Sequence, residues 1–264
     1  MLDQGVNINK TDSQRLDDGS NLPGGESDYS LDLLNRVTAD GNIDLFDHLV
    51  GRGADVSLST ALQSASECDD HGKSITMIRH LLDKHLMNIN RNNEDFREFF
   101  HEADDKGSPL CSAIINRNLA AVLELLERGA SPSFPAKYPV TYAVSEDGFV
   151  PALEPLLCAG NDPNAALKQA VFFQNFDAVK ICLEFDADFV RALPKALEQV
   201  EAKARSVARF VASDESTSDP DYKDVLEEKT TAERNSRAIV ELLSETIGGD
   251  NAQYSFDERA WCRI

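Results

Sequence analysis

Val122-Leu123-Glu124-Leu125-Leu126-Glu127-Arg128-Gly129-Ala130 decides how the rest of this chain is read. Val122, Leu125 and Leu126 stand at i, i+3 and i+4, which places them on one buried stripe of a helix. Gly129 can adopt the left-handed conformation that ends such a helix and satisfies its last carbonyls. The same segment returns as Phe46-x-x-Leu49-Val50-x-x-Gly53-Ala54 and as Leu153-x-x-Leu156-Leu157-x-x-Gly160-Asn161. Looser copies are Ile78-x-x-Leu81-Leu82, Val179-x-x-Cys182-Leu183 with Asp186-Ala187 in the Gly-Ala place, and Ile239-x-x-Leu242-Leu243. Self-similarity of this kind signals stacked repeats rather than one central core.

About a dozen residues before each stripe comes an aliphatic residue with a small or β-branched one three positions later. The pairs are Leu34 with Val37, Leu62 with Ala65, Leu110 with Ala113, Val140 with Ala143, and Leu167 with Ala170. Such a pair shares one helix face, and its small member lets a neighbouring helix come close. Between the two helices lie Asp40-Gly41-Asn42, Asp70-His71-Gly72, Asn116-Arg117-Asn118, Asp147-Gly148 and Gln174-Asn175. Asn, Asp and Gly tolerate positive φ, and Asn or Asp caps the helix that follows. The predicted unit is helix, tight turn, longer helix, glycine stop.

Ser108-Pro109-Leu110-Cys111-Ser112-Ala113 resembles the Thr-Pro-Leu-His-x-Ala opening of the ankyrin repeats, and Leu125-Leu126-Glu127-Arg128-Gly129-Ala130-Ser131 resembles their Leu-Leu-x-x-Gly-Ala-Asp close. The resemblance covers roughly residues 30 to 195, with a weaker echo to about 247. It implies an all-α solenoid of stacked helix-turn-helix repeats. It also implies that a partner binds the concave face of the first helices, two and five positions after the opening aliphatic residue. Those positions are Ser64 and Glu67, Ser112 and Ile115, Tyr142 and Ser145, and Gln169 and Phe172. Ile115, Tyr142 and Phe172 would then supply apolar anchors. Phe172 and Phe173 equally fit a second reading, in which they fill the core of a shortened repeat.

The spacing departs from the family. Positions 53, 85, 129, 160 and 186, the Gly or its equivalent, lie 32, 44, 31 and 26 residues apart, against about 33 in ankyrin repeats. Little chain is left after Asp55, Asp162 and Asp188, so the β-hairpin fingers are expected to be short or missing. The longest interval carries extra chain from Asn88 to Gly107, in which Glu94 to His101 reads as a short helix. Residues 1–28, rich in Asp, Asn, Gly and Ser, are expected to be a disordered acidic leader. Residues 29–195 form the array of about five helix pairs, 196–247 a degenerate last repeat or helical cap with an acidic loop near 213–224, and 248–264 a tail. Ser216 and Ser218, each with an Asp three residues on, fit an acidophilic kinase site as well as an ordinary solvated loop. Trp261 reads as packing back on the last helices.

A formal net charge of −20 argues against phosphate-driven nucleic-acid binding. No basic start with an apolar run marks a signal peptide, and no segment reaches membrane-spanning length. The expectation is an intracellular protein of cytoplasm or nucleus, with no membrane contact. Cys68, Cys111, Cys158, Cys182 and Cys262 do not space as a disulfide framework, so reduced thiols are expected.

Cys68-x-x-His71 with His80 and His85 is the sharpest metal motif in the chain. Five residues on a helix turn through about 500°, which sets His80 and His85 on different faces if one helix runs through both. Ordinary structural or surface histidines fit as well. Gly72-Lys73-Ser74 lacks the glycine five residues earlier that a phosphate loop needs, Glu67 standing there, and no cysteine is tied to a base. The expected function is therefore a non-catalytic protein-protein interaction module or adaptor, needing no cofactor and acting as a monomer. A metal-binding or hydrolytic protein using Cys68 and His71, and a self-associating scaffold, are the alternatives.

Overall fold

The computed structural model describes residues 33–56, 59–91, 107–134, 138–145, 147–212 and 220–248. All regular secondary structure among them is helical, and no strand occurs in these residues. The expected leader, the Glu94–His101 helix, Ser216, Ser218 and Trp261 lie outside them. The chain divides into two compact units, residues 1–139 and 140–264. That boundary falls inside the expected single array, within the helix Tyr138–Val144.

Unit 1 is built from three helical hairpins. They are α1 (Leu33–Ala39) with α2 (Ile43–Gly51), α3 (Ala61–Ser66) with α4 (His71–His85), and α5 (Pro109–Ile115) with α6 (Leu119–Glu127). α1 packs on α3 and α3 on α5, while α4 packs on α6, so first helices neighbour first helices. Each pair read from the sequence is buried: Leu34 with Val37, Leu62 with Ala65, and Leu110 with Ala113. In the second helices the first two stripe positions are also buried, as Phe46 and Leu49, Ile78 and Leu81, Val122 and Leu125. The third position, Val50, Leu82 or Leu126, is only half-buried.

Unit 2 holds most of α7 (Tyr138–Val144), a 3₁₀ turn at Val150–Ala152, α8 (Leu153–Cys158), α9 (Pro163–Phe172), α10 (Phe176–Glu184), α11 (Phe189–Ala212) and α12 (Pro220–Gly248). α10 packs on α8, α9 and α12, and α11 packs on both α9 and α12. α11 and α12 run for 24 and 29 residues, against 6 to 10 for α8, α9 and α10. Ala192, Ala196, Ile239 and Leu243 are their buried apolar positions among the described side chains, with Ser236 buried beside them. The acidic loop is shorter than expected, because residues 220–224 already belong to α12.

The turns repeat with the same hydrogen bonds. Ala54 N–H, Ala130 N–H, Asn161 N–H and Ala187 N–H donate to the carbonyls of Leu49, Leu125, Leu156 and Cys182 at 2.9–3.1 Å. The residue before each of these four has positive φ: Gly53, Gly129, Gly160 and Asp186. This is the helix-closing arrangement that a left-handed residue permits. In α4 the left-handed residue is Leu86, one position beyond the His85 expected from the spacing. At the other turn, Gly41, Arg117 and Gln174 take positive φ. The Asn that follows each one caps the next helix: Asn42, Asn118 and Asn175 accept from the N–H of Leu45, Ala121 and Ala178.

Two of these asparagines also join neighbouring hairpins. Asn118 Nδ2 donates to the Ser66 carbonyl at the end of α3 and to Ser74 Oγ of α4. Asn175 Nδ2 donates to the Val144 carbonyl at the end of α7. A helix-end carbonyl without an intrahelical partner is thereby satisfied.

Candidate functional site

The proposed face divides on burial. Ser64 and Ser112 are 3% and 0% exposed, so neither can touch a partner. All six residues of α3 are buried, as are Pro109 to Ile114 of α5. A helix of six or seven residues enclosed by neighbours on both sides has no free face, and small serines fill the space. The remaining six positions behave differently. In unit 1, Glu67 is half-buried and Ile115 is 38% exposed. In unit 2, Tyr142, Ser145 and Gln169 are half-buried and Phe172 is 56% exposed. Phe172 therefore does not fill the core; its ring meets the Phe173 ring edge-on at 5.1 Å. Ile115 belongs to a different unit from Tyr142 and Phe172.

The four zinc-capable side chains read from the sequence separate into two places. Cys68 is buried and free, with its Sγ against the Asp70 carbonyl at 3.6 Å. His71 is exposed at the first position of α4. Nine residues of helix, about 13 Å along the axis, separate it from His80. His80 and His85, by contrast, do come together, with ring centroids 5.4 Å apart. This corrects the rotation argument: His85 is the last residue of α4, and a helical side chain leans back toward the N-terminus, over the preceding turn.

Both imidazoles converge on Asp47 of α2, which sequence reasoning missed. His80 Nε2 lies 2.8 Å from Asp47 Oδ1, and His85 Nε2 lies 3.7 Å from the same oxygen. Lys84 Nζ donates to the other oxygen, Oδ2, at 2.6 Å. The fully buried Phe46 ring stands edge-on to His80 at 6.1 Å and to His85 at 5.3 Å. The Lys84 ammonium, followed by His80, holds the Asp47 carboxyl down at about 2, well below the usual carboxylate range. Burial, helped by His80, lowers the His85 imidazole and favours its neutral form. His85 Nε2 is buried without a hydrogen-bond partner. Among the described residues, Asp47, His80 and His85 are the one group able to bring three metal-ligating atoms within 4.8 Å.

A second polar cluster ties α4 to α6. Glu124, only 5% exposed, accepts from Arg79 Nη2 and Nε at 2.6 and 3.0 Å and from Arg128 Nε at 3.0 Å. Arg128 also pairs with Asp83. Arg79, more than Arg128, holds the Glu124 carboxyl below its ordinary value. The cluster has the chemistry of a structural tie, since every strong interaction in it is an ion pair.

Cys111 and Cys182 are buried and free. Burial pushes their thiols up to about 11 and about 12, which suppresses the nucleophilic thiolate. Cys158 is disulfide-bonded, contrary to the expectation of reduced thiols throughout. No described helix is long and apolar enough to cross a membrane. No protein-family model matches the chain, and a search of curated proteins finds no match.

Proposed function

We propose that the chain is a degenerate ankyrin-like array, and that it works as a non-catalytic binding module for another protein. One observation carries this reading. Ile115 and Phe172 each stand five residues after the opening aliphatic of a first helix, Leu110 or Leu167, and each is an exposed large apolar side chain at the last residue of its helix. Large apolar side chains held in one register by a repeated turn are suited to anchoring a partner. Glu67 in unit 1, and Tyr142, Ser145 and Gln169 in unit 2, would add polar or amphipathic contacts within their own units. The solenoid form, the short fingers and the partner's protein nature belong to this proposal.

Affinity capture followed by mass spectrometry tests it. Wild-type protein and a Leu45→Asp control should recover the same partner, since Leu45 is an exposed residue of a second helix. Ile115→Asp and Phe172→Asp should each lose it while keeping the helical circular-dichroism signal. A partner retained by both variants removes this face from consideration.

A further inference from the structure

Two imidazoles of α4 and one carboxylate of α2 share a half-enclosed corner of unit 1, and the repeat pattern has no use for them. We infer that Asp47, His80 and His85 form a site for a divalent transition metal, Zn²⁺ by the chemistry of its ligands, that fastens α2 to α4. Two neutral imidazole nitrogens and one carboxylate oxygen are a common three-ligand set for zinc, with water in the fourth position.

The distances fit. Zinc bonds of about 2.0–2.1 Å in a tetrahedron place neighbouring donor atoms about 3.3 Å apart. The two separations from Asp47 Oδ1, 2.8 Å to His80 Nε2 and 3.7 Å to His85 Nε2, fall on either side of that value. All three ligand atoms lie within 4.8 Å of one another. The two Asp47 contacts need shifts of about half an ångström to reach that value, and the separation between the two imidazole donors is bounded by 4.8 Å.

The surroundings favour a ligand as well. His85 Nε2 is a buried nitrogen without a hydrogen-bond partner, an arrangement that costs free energy unless something binds there. Phe46 stands against both rings and limits their rotation, so little ordering remains to be done on binding. Lys84 occupies Oδ2 and leaves Oδ1 to face the imidazoles, as a supporting group does for a carboxylate that binds through one oxygen. Its ammonium opposes a second cation, but its side chain is 55% exposed and can turn into solvent. Asp47 is itself 33% exposed, which gives water access to the remaining coordination position. On binding, His80 Nε2 releases any proton it carries to solvent, and the neutral ring keeps its single proton on Nδ1.

The ordinary alternative is a hydrogen-bonded His80–Asp47–Lys84 group that binds nothing. Calorimetric titration of ZnCl₂ into tag-free, chelator-stripped full-length protein distinguishes the two. The expected result is one saturable equivalent, with Co²⁺ giving the visible absorption of a four-coordinate ion. His80→Gln and His85→Gln should each weaken binding more than about 100-fold, beyond the ~10–100-fold typical of losing a supporting residue. Cys68→Ser and His71→Gln should leave it unchanged. Should the histidine variants fail to fold, ring-nitrogen NMR of the wild-type protein gives the same answer. Zn²⁺ must then shift Nε2 of His80 and His85 and spare His48 and His71. The inference is overturned by no saturable uptake in the wild type, by undiminished binding in both glutamine variants, or by shifts confined to other histidines.

Discussion

Replacing Asn118 with Ala removes a cap and a bridge in one step, and the structure ranks its cost against two sister positions. Asn118 is 1% exposed and makes three hydrogen bonds, accepting from Ala121 N–H and donating to Ser74 Oγ and the Ser66 carbonyl. Loss of an N-cap costs about 1 kcal/mol, and stranding a buried acceptor adds about 1–3 kcal/mol. The expected destabilisation is therefore about 2–4 kcal/mol. Asn42 is exposed and caps α2 through Leu45 N–H, so Asn42→Ala should cost about 1 kcal/mol. Asn175, half-buried in unit 2, caps α10 and bridges to Val144, and should fall between them. An Asp substitution separates the two roles. Asn42→Asp keeps the acceptor and should be neutral, whereas Asn118→Asp keeps the acceptor, loses both donors and turns a buried carboxylate toward the Ser66 carbonyl. Urea unfolding followed by circular dichroism measures the series. With a slope of about 2 kcal/mol per molar urea, Asn118→Ala should lower the midpoint by about 1–2 M. Within unit 1, equal costs for Asn42→Ala and Asn118→Ala, or a wild-type midpoint for Asn118→Asp, would refute the bridging argument.

Glycine substitutions should sort by cause. An added Cβ at Gly129 or Gly160 meets nothing within 4 Å, so Ala there costs only the left-handed strain of about 1–2 kcal/mol. Gly148→Ala should cost more on the same unfolding assay, because its Cβ would sit 2.5 Å from the Ala143 backbone oxygen. Acid should weaken unit 1 through Glu124. Its folded pKa lies below the ordinary value of 4.5, so its contribution is present above that value and is lost as pH falls through the folded pKa. Glu124→Gln should flatten the decline of the urea midpoint as pH falls below the ordinary carboxylate value of 4.5, and an unaltered decline would assign it to other carboxylates. Cys111 and Cys182 should resist a thiol reagent near pH 8 until the helical signal is lost. Reaction ahead of unfolding, located by peptide mapping, would contradict their burial.

The helices were legible because each stripe, cap and stop is a local matter. Val122, Leu125 and Gly129 need only helix geometry to be read. Asn42, Asn118 and Asn175 could be assigned as caps for the same reason, but their side-chain amides reach carbonyls that lie in neighbouring hairpins. Nothing next to Asn118 in the chain distinguishes it from Asn42; the difference comes from the helix packed beside it. Burial misled at Ser64 and Ser112 for a related reason. Counting positions from Leu62 and Leu110 identifies one side of an isolated helix, whereas α3 and the first six residues of α5 are covered on all sides. The longer α9, of ten residues, keeps Phe172 outside.

The metal-ligating cluster exposes a different limit of pattern reading. Treating α4 as an endless cylinder puts His80 and His85 about 140° apart, and that figure describes their backbone positions, not the reach of their rings. At the last residue of a helix no following turn constrains the side chain, so His85 can fold back toward His80. Asp47 adds what no local rule supplies, an acceptor 33 residues earlier in the chain than His80. It follows Phe46, whose complete burial fixes where α2 presents its next residue. The apolar stripe that announces the repeat therefore also sets the position of the carboxylate. A repeat can in this way hold a polar site beside its core without any motif of its own, provided the core residue next to the ligand stays large: Phe46→Ala should loosen the cluster even though Phe46 has no polar atom to contribute.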